Sequence, residues 1–412
     1  MSEPTAPPPT APPPTKPVSI SPLLLQLADP TTTLYSHLPV QTGCLLYALH
    51  TTQLDRRPDV LAACASSMRD AAAQVDAAAL KEVVRRRGRK EGHYMGDWYV
   101  GTGGDSHNTY NVSTTSSILA SALLLMAKHG NNASTSKSGS ADLLTSYPTP
   151  PSISAVTHAT LPDIYPSTNY AFLYAREFHP GMKHVAGVRR ELPFRTIFNL
   201  LGPLANPVHN THLVEARILG VAKRDMGPVF ADALRMSGVR KGLVVCGAED
   251  LDELSCAGTS YCWLLRETKG RDHHEYRNVE IVPFTVTPED LGLTRCPLAT
   301  VAGGKSPAEN AAILQRLLKG DLPEHDPVLT FVLINTAALL AVSGVCDADT
   351  SDMGEEDDGM VEKERGPGGL RWKEAVRRAR WCIKSGTAMR QWEAYIKVTN
   401  ELSEGKQSGG DR

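Results

Sequence analysis

Cysteine pairs at redox or metal spacing are missing from this chain. Its eight cysteines, at 44, 64, 246, 256, 262, 296, 346 and 382, include no CxxC and stand beside no histidines at ligand spacing. A disulfide framework and a structural zinc site are set aside, and a reduced intracellular protein is the simpler reading. Long apolar runs are missing too, so no segment has the length of a membrane span. The amino terminus is rich in Pro and Thr rather than a charged stretch followed by an apolar one, which leaves the cytoplasm as the default location. Charge of one sign is not in excess: 43 Lys and Arg stand against 45 Asp and Glu, for a net −2, so nothing general argues for nucleic-acid or membrane partners. The phosphate motif GxxxxGK[ST] is absent, and the dinucleotide pattern GxGxxG fails because Ser106 stands where its third glycine belongs.

What is present is concentrated in residues 101–142, GTGGDSHNTYNVSTTSSILASALLLMAKHGNNASTSKSGSAD. Apolar residues from Ile118 to Met126 recur at helical spacing, which predicts one helix starting near 112–115 behind a Gly-rich loop, with Trp98 to Val100 as a short strand before it. The amides of a first helical turn and the positive end of the helix dipole favour an anion, and Gly101, Gly103 and Gly104 let the main chain approach one closely. Lys128 would supply a mobile cation where that helix ends, with Asn131, Ser136, Ser138 and Ser140 as neutral donors. GTGG alone is more often a plain turn. It is the coincidence with Asp105, NVST at 111–114 and KHGN at 128–131 that points to phosphate handling.

With 41% hydrophobic residues the chain can bury a large core, and its length suggests two domains. Residues 1–17 carry eight prolines and read as a polyproline-like or disordered tail. Helical spacing dominates from 22 to 79, clearest over 41–54 and 58–73. The basic run at 81–91 reads as a solvated helix end, since no aromatics interleave with the charges. Residues 147–170 read as a surface loop. From 212 onward strand-like and helix-like patterns alternate, which predicts an α/β layer. The acidic stretch 347–364 reads as a solvated loop.

Taken together, GTGGD, NVST, KHGN, SKSGSAD at 136–142, HPGMK at 179–183, VRRELPFRTIFNLLGPLANP at 188–207 and LDELS at 251–255 resemble, in order and near spacing, the anthranilate phosphoribosyltransferases of tryptophan biosynthesis. AENAAI at 308–313 and LINTAALLAV at 333–342 are similar to weaker signatures of that family. The resemblance implies a homodimeric, Mg²⁺-using enzyme that joins phosphoribosyl pyrophosphate (PRPP) to the amine of anthranilate. It implies an α/β fold: a small helical domain from 21–96 and 163–207, and a large domain from 97–162 and 208–412 with a central, mostly parallel sheet. Residues 1–20 form the tail, and 347–368 an insertion. Substrates would lie in the cleft between the domains.

Residue by residue, the resemblance implies PRPP contacts from Gly101, Thr102, Gly103, Gly104, Asp105, Asn111, Ser113, Thr114, Lys128 and Ser140. It implies an anthranilate subsite of Asn131, His129, His179, Arg189 and Pro203, with Lys128, Arg189 and Asn131 central to catalysis. Mg²⁺ would be held by Asp252 and Glu253, with Ser113 offering an oxygen; one or two carboxylates suffice for an ion that keeps its waters. Read without the family, Asp252 and Glu253 are a solvated pair, Asp105 either binds metal-linked water or caps its loop, Arg189 is a surface charge, and His129 and His179 are satisfied turn histidines. Asn132 and Cys246 depart from the Arg and His that the family often has there. A pyrimidine nucleoside phosphorylase, whose KHS-type phosphate loop is missing here while the HPGMK to GPLANP block fits the transferase, and a silent phosphoribosyl-binding relative are the competing readings. Nucleic-acid binding rests on 85–90 alone.

Overall fold

The computed structural model describes residues 38–87, 95–98, 107–133, 137–268, 278–302 and 306–409. GTGGD at 101–105, with Gly101, Thr102, Gly103, Gly104 and Asp105, and Ser136 lie outside the described residues.

Among the described residues three α-helices come first: α1 (Leu38–Thr51), α2 (Pro58–Asp70) and α3 (Ala77–Arg86). The last starts where the Asp76 carboxylate accepts the Ala78 and Ala79 amides. The chain then runs through β1 (Met95–Trp98), α4 (Val112–Ala120), β2 (Leu125–Gly130), α5 (Ser140–Thr145), β3 (Tyr170–Tyr174) and α6 (Met182–Glu191). The second half is β4 (Val214–Gly220), α7 (Met226–Met236), β5 (Gly242–Gly247), β6 (Ser260–Thr268), β7 (Asn278–Val286), α8 (Pro307–Lys319), α9 (Pro327–Ser343), α10 (Trp372–Lys384) and α11 (Thr387–Gly409).

The strands form one sheet in the order β3-β2-β1-β4-β5-β6-β7. Strands β1 to β5 pair parallel, while β6 and β7 add an antiparallel hairpin. The expected mostly parallel α/β sheet is therefore present. Chain order runs outward from β1 to β3 on one side and from β4 to β7 on the other, so β1 and β4 flank a switch point. In open α/β sheets ligands bind beyond the carboxyl ends of strands at such a point.

Period two along β5 sorts the core. Leu243 and Val245 join one apolar cluster with α4, α9, α10 and α11; Val244 and Cys246 join another with α1, α2, α6 and α7. Helix α9 packs against α4, α10 and β4, and nearly all of its length is buried. Asp326 caps its start and Gly344, at φ 88°, ends it.

Two local readings need correction. The helix expected to run through Met126 stops at Ala120, where the Ser121 hydroxyl donates to the Ile118 carbonyl, and residues 125–130 are β2. A central parallel strand is buried on both faces and so reads as an unbroken apolar run, which periodicity does not distinguish from a buried helix. Residues 147–170 contain little regular structure, as expected, but they are not a surface loop. Tyr147, Ile153, Val156, Leu161, Ile164 and Tyr165 are buried, and the Tyr165 hydroxyl donates to the Met126 carbonyl at 3.0 Å.

The acidic stretch 347–364 is irregular and is fastened to α10. Arg377 pairs with Asp357 and Glu374 at 2.7 and 2.8 Å, Arg371 with Asp349 at 2.6 Å, and the Trp381 indole donates to the Glu355 carbonyl. Burial pushes the Asp357 carboxyl up. The Met353 amide, Arg377 and Ser351 more than offset this and hold it well below the usual range.

Candidate active site

Helix α4 begins at Val112, so the amides of Ser113 and Thr114 have no acceptor within the helix and sit at its positive end. Lys128, fully buried on β2, donates to the Ser113 hydroxyl at 3.3 Å. Thr114 donates to the Ser140 hydroxyl at 2.8 Å, at the start of α5. Four of the residues singled out from sequence thus converge on one spot, with Lys128 on a strand rather than at a helix end. The arrangement is a set of cationic, hydroxyl and amide donors suited to a phosphate-bearing ligand.

Asn111, at the N-cap of α4, is held by neighbouring segments. Its amide donates to the Ser138 carbonyl at 2.8 Å, and its oxygen accepts from the Ser138 hydroxyl and the Asn310 amide at 3.0 and 3.1 Å. It ties the NVST, SKSGSAD and AENAAI segments together. Asn131 is exposed; its side-chain oxygen accepts the Asn132 amide at 2.9 Å, and its carbonyl accepts the Ala141 amide. Asn132, in place of Arg, donates to Asp142 at 2.6 Å and accepts from the Tyr174 hydroxyl, fixing the turn. Gly139 is required there, because a Cβ would lie 2.2 Å from the Ala133 nitrogen.

Two buried imidazoles stand beside this group, His129 on β2 and His179 after a one-turn helix, their ring centroids 5.0 Å apart. The His179 Nε2 donates to the Ala205 carbonyl at 3.0 Å. Burial lowers the His179 pKa to about 4. Burial, helped by His179 and Lys128, pushes His129 well below its usual range. Both rings are neutral near pH 7. Pro203 is buried in the 3₁₀ turn Gly202–Leu204 that faces them through these carbonyl contacts. Arg189 stands apart. Its guanidinium lies over the Phe198 ring, 5.5 Å from the centroid, and makes no hydrogen bond or ion pair among the described residues. Burial lowers its pKa.

Asp252 and Glu253 follow β5 at its carboxyl end, beside the switch point. The Thr109 hydroxyl donates to Glu253 at 3.4 Å, and the His107 Nε2 to the Glu249 carbonyl at 2.7 Å, so the segment entering α4 is laced to the acidic turn. Two residues that sequence reasoning missed hold that turn. Asn335, in the middle of α9, accepts from the Leu254 amide and donates to the Leu254 carbonyl, both at 3.1 Å. Gly220 ends β4 where a Cβ would fall 1.5 Å from the Asp252 carbonyl oxygen. LINTAALLAV was visible as a signature, and Asn335 is, with Thr336, one of two polar residues in its apolar run; nothing in the sequence singles out Gly220. Cys246, in place of His, is a buried thiol that desolvation pushes up to about 12. No group of three or more His, Cys, Asp or Glu positioned to hold a metal occurs among the described residues. The donors available, two carboxylates and a hydroxyl, are all oxygen, which suits Mg²⁺ beside phosphate.

A family model described as glycosyl transferase family, a/b domain, matches residues 97–389. The anthranilate phosphoribosyltransferase of Schizosaccharomyces pombe is 38% identical over 364 residues, 88% of either chain. The Saccharomyces cerevisiae enzyme in complex with PRPP and Mg has a TM-score of 0.73 at 29% identity, covering 93% of both chains. The same yeast enzyme with 4-fluoroanthranilate has a TM-score of 0.69 at 28% identity, covering 92% and 91%. By family match, identity and fold alike, this chain belongs to the anthranilate phosphoribosyltransferases.

Proposed function

We propose that this chain transfers the phosphoribosyl group of PRPP to the amine of anthranilate, giving N-(5'-phosphoribosyl)anthranilate and pyrophosphate in tryptophan biosynthesis. The observation that carries the reading is the convergence of Lys128, Ser113, Thr114 and Ser140 at the start of α4, beside the carboxyl ends of β1 and β4. The leaving group is strongly anionic, and fixed donors in a dry site stabilise it without reorganisation. Lys128, Ser113, Thr114 and Ser140 bind PRPP in this reading, and Asn111 holds their loops in register. The GTGGD residues 101–105 keep their proposed PRPP contacts.

Asp252, Glu253 and Ser113 would hold Mg²⁺, which when bound supplies charge neutralisation to the departing pyrophosphate. Asn131, His129, His179 and Pro203 form the acceptor subsite, and Arg189 meets the anthranilate carboxylate from α6. An aryl amine is a neutral nucleophile, and the neutral imidazoles accept or donate hydrogen bonds without adding charge. Positioning therefore dominates over proton transfer.

A small helical domain of α1, α2, α6 and residues 197–204 is supported by their shared apolar cluster, which continues onto α7, whereas α3 and β3, inside the expected bounds 21–96 and 163–207, pack with the sheet's other cluster. A homodimer through it is supported by an exposed stripe on α1, Val40, Cys44, Tyr47 and Ala48, at helical spacing, with Tyr47 59% exposed. No helix among the described residues is long and apolar enough to cross a membrane, which accords with action in the cytoplasm.

Loss of anthranilate fluorescence on mixing the protein with PRPP and Mg²⁺, with controls lacking each, tests the reaction. Loss that requires all three is the expected result. Phosphate-dependent cleavage of a pyrimidine nucleoside in its place would overturn it.

A further inference from the structure

Beneath the acceptor subsite lies a buried cation that the reaction does not call on. Arg69, in the last turn of α2, is 4% exposed. Its Nη1 donates to the Leu204 carbonyl at 2.6 Å, and its Nε donates to the Asn210 side-chain oxygen at 3.3 Å. The Asn210 amide in turn donates to Asp70 at 3.2 Å. The end of α2 and residues 204–210 are thus joined from both sides.

The same short segment is held at three further positions. His179 donates to the Ala205 carbonyl, the Asn206 amide donates to the Ala127 carbonyl of β2 at 2.9 Å, and Arg217 of β4 donates to the His209 Nδ1 at 2.5 Å. Burying a guanidinium is costly, and an apolar side chain of similar volume would pack at least as well. Desolvation, with Arg217 nearby, pulls Arg69 down to about 10, which still leaves it charged near neutrality. What a Met or Leu would not supply is a donor for the Leu204 carbonyl, one bond along the chain from Pro203.

We infer that Arg69, with Asn210, is a positioning residue for the acceptor side of the reaction: it sets the height of the 202–206 turn, and through it Pro203 and the His129–His179 pair. This rests on the proposed reading of that subsite. Arg69 touches no reacting atom. A loosened turn displaces the acceptor amine from the anomeric carbon while leaving the phosphate donors on α4, β2 and α5 in place. Misplacement on the order of 1 Å costs up to about a hundredfold.

The test compares Arg69→Met, Arg69→Lys and Asn210→Ala with the wild-type full chain. It uses steady-state kinetics in each substrate, together with hydrogen exchange across the protein. For Arg69→Met the inference expects KM for anthranilate to rise and kcat to fall, together about tenfold or more in kcat/KM, with KM for PRPP within about twofold. Faster exchange should be confined to residues 198–210. Arg69→Lys, which keeps one donor for Leu204, should recover most of the loss. Asn210→Ala, which leaves Arg69 in place, should shift the same parameters less and keeps the test decisive if Arg69→Met fails to fold. Equal shifts in both KM values, unchanged kinetics, or exchange that rises throughout the molecule would overturn it. Absence of turnover by the wild type would overturn the proposed function instead, and the exchange pattern would still decide the clamp.

Discussion

Lys128 is a fully buried ammonium that donates to the Ser113 hydroxyl at the start of α4, where a phosphate-bearing ligand would meet its charge. Lys128→Met is expected to lower kcat/KM for PRPP on the order of a hundredfold or more. Unchanged turnover would refute the role. The histidines give a pH signature of definite sign. A histidine whose folded pKa lies below its unfolded value takes up its proton preferentially on unfolding. The stability it contributes is present above about pH 6.5 and is lost as pH falls toward the folded value. His179 places that window between 6.5 and about 4, and His209 extends it to about 2. The urea midpoint should fall steadily below pH 6.5. His179→Gln should flatten the upper part of the slope, by on the order of 3 kcal/mol in all. Thiol reactivity supplies a third check. Cys44 is exposed, whereas burial pushes Cys64 and Cys246 up to about 12. A maleimide at pH 7 should modify Cys44 in the dissociated monomer, with dimerisation slowing it, and those two only after unfolding.

At the level of elements, the turn bearing Asp252 and Glu253 depends on a close approach between β4 and the strand-end loop. Gly220→Ala would push a methyl into the Asp252 carbonyl. The expected result is a large loss of activity and a shift of the Mg²⁺ dependence to higher concentration, at a stability cost of about 1–3 kcal/mol. An unaltered Mg²⁺ titration would show that the turn is not the metal site. How far the sequence reveals these elements depends on the range of the contact. Ser113, Thr114, Lys128 and Ser140 fall in short motifs, so the family resemblance those motifs carry could name them. Gly220 and Asn335 act on Leu251–Glu253 and Leu254 from distant helices and strands, and a pattern read along the chain carries no trace of that approach. Residues 147–170 misled for a related reason: their Pro, Ser and Thr content signals turns correctly, yet Tyr165 and its apolar neighbours are buried by segments far away in sequence.

For the whole molecule, alternating patterns from 212 onward implied an α/β layer and the family resemblance implied a mostly parallel sheet, but neither carried the strand order or the attachment of 347–364, whose acidic residues have partners only once α10 lies beside them. Arg377→Met should leave the Asp357 carboxylate without its cation and cost about 3–5 kcal/mol. Added cleavage by a Glu-specific protease within 347–364, with catalysis retained, would be the sign that the strap has lifted. Finally, β1 lies inside the sheet, with β2 on one side and β4 on the other. While the chain is being made, β2 and β3 are available early, but the opposite edge of β1 stays open until β4 arrives after all the helices between. A chain halted short of residue 213 would carry a bare strand edge, the kind of surface that recruits other chains. The centre of this sheet is therefore the last part of its first half to be finished, and slow synthesis through 175–213 is where aggregation would begin.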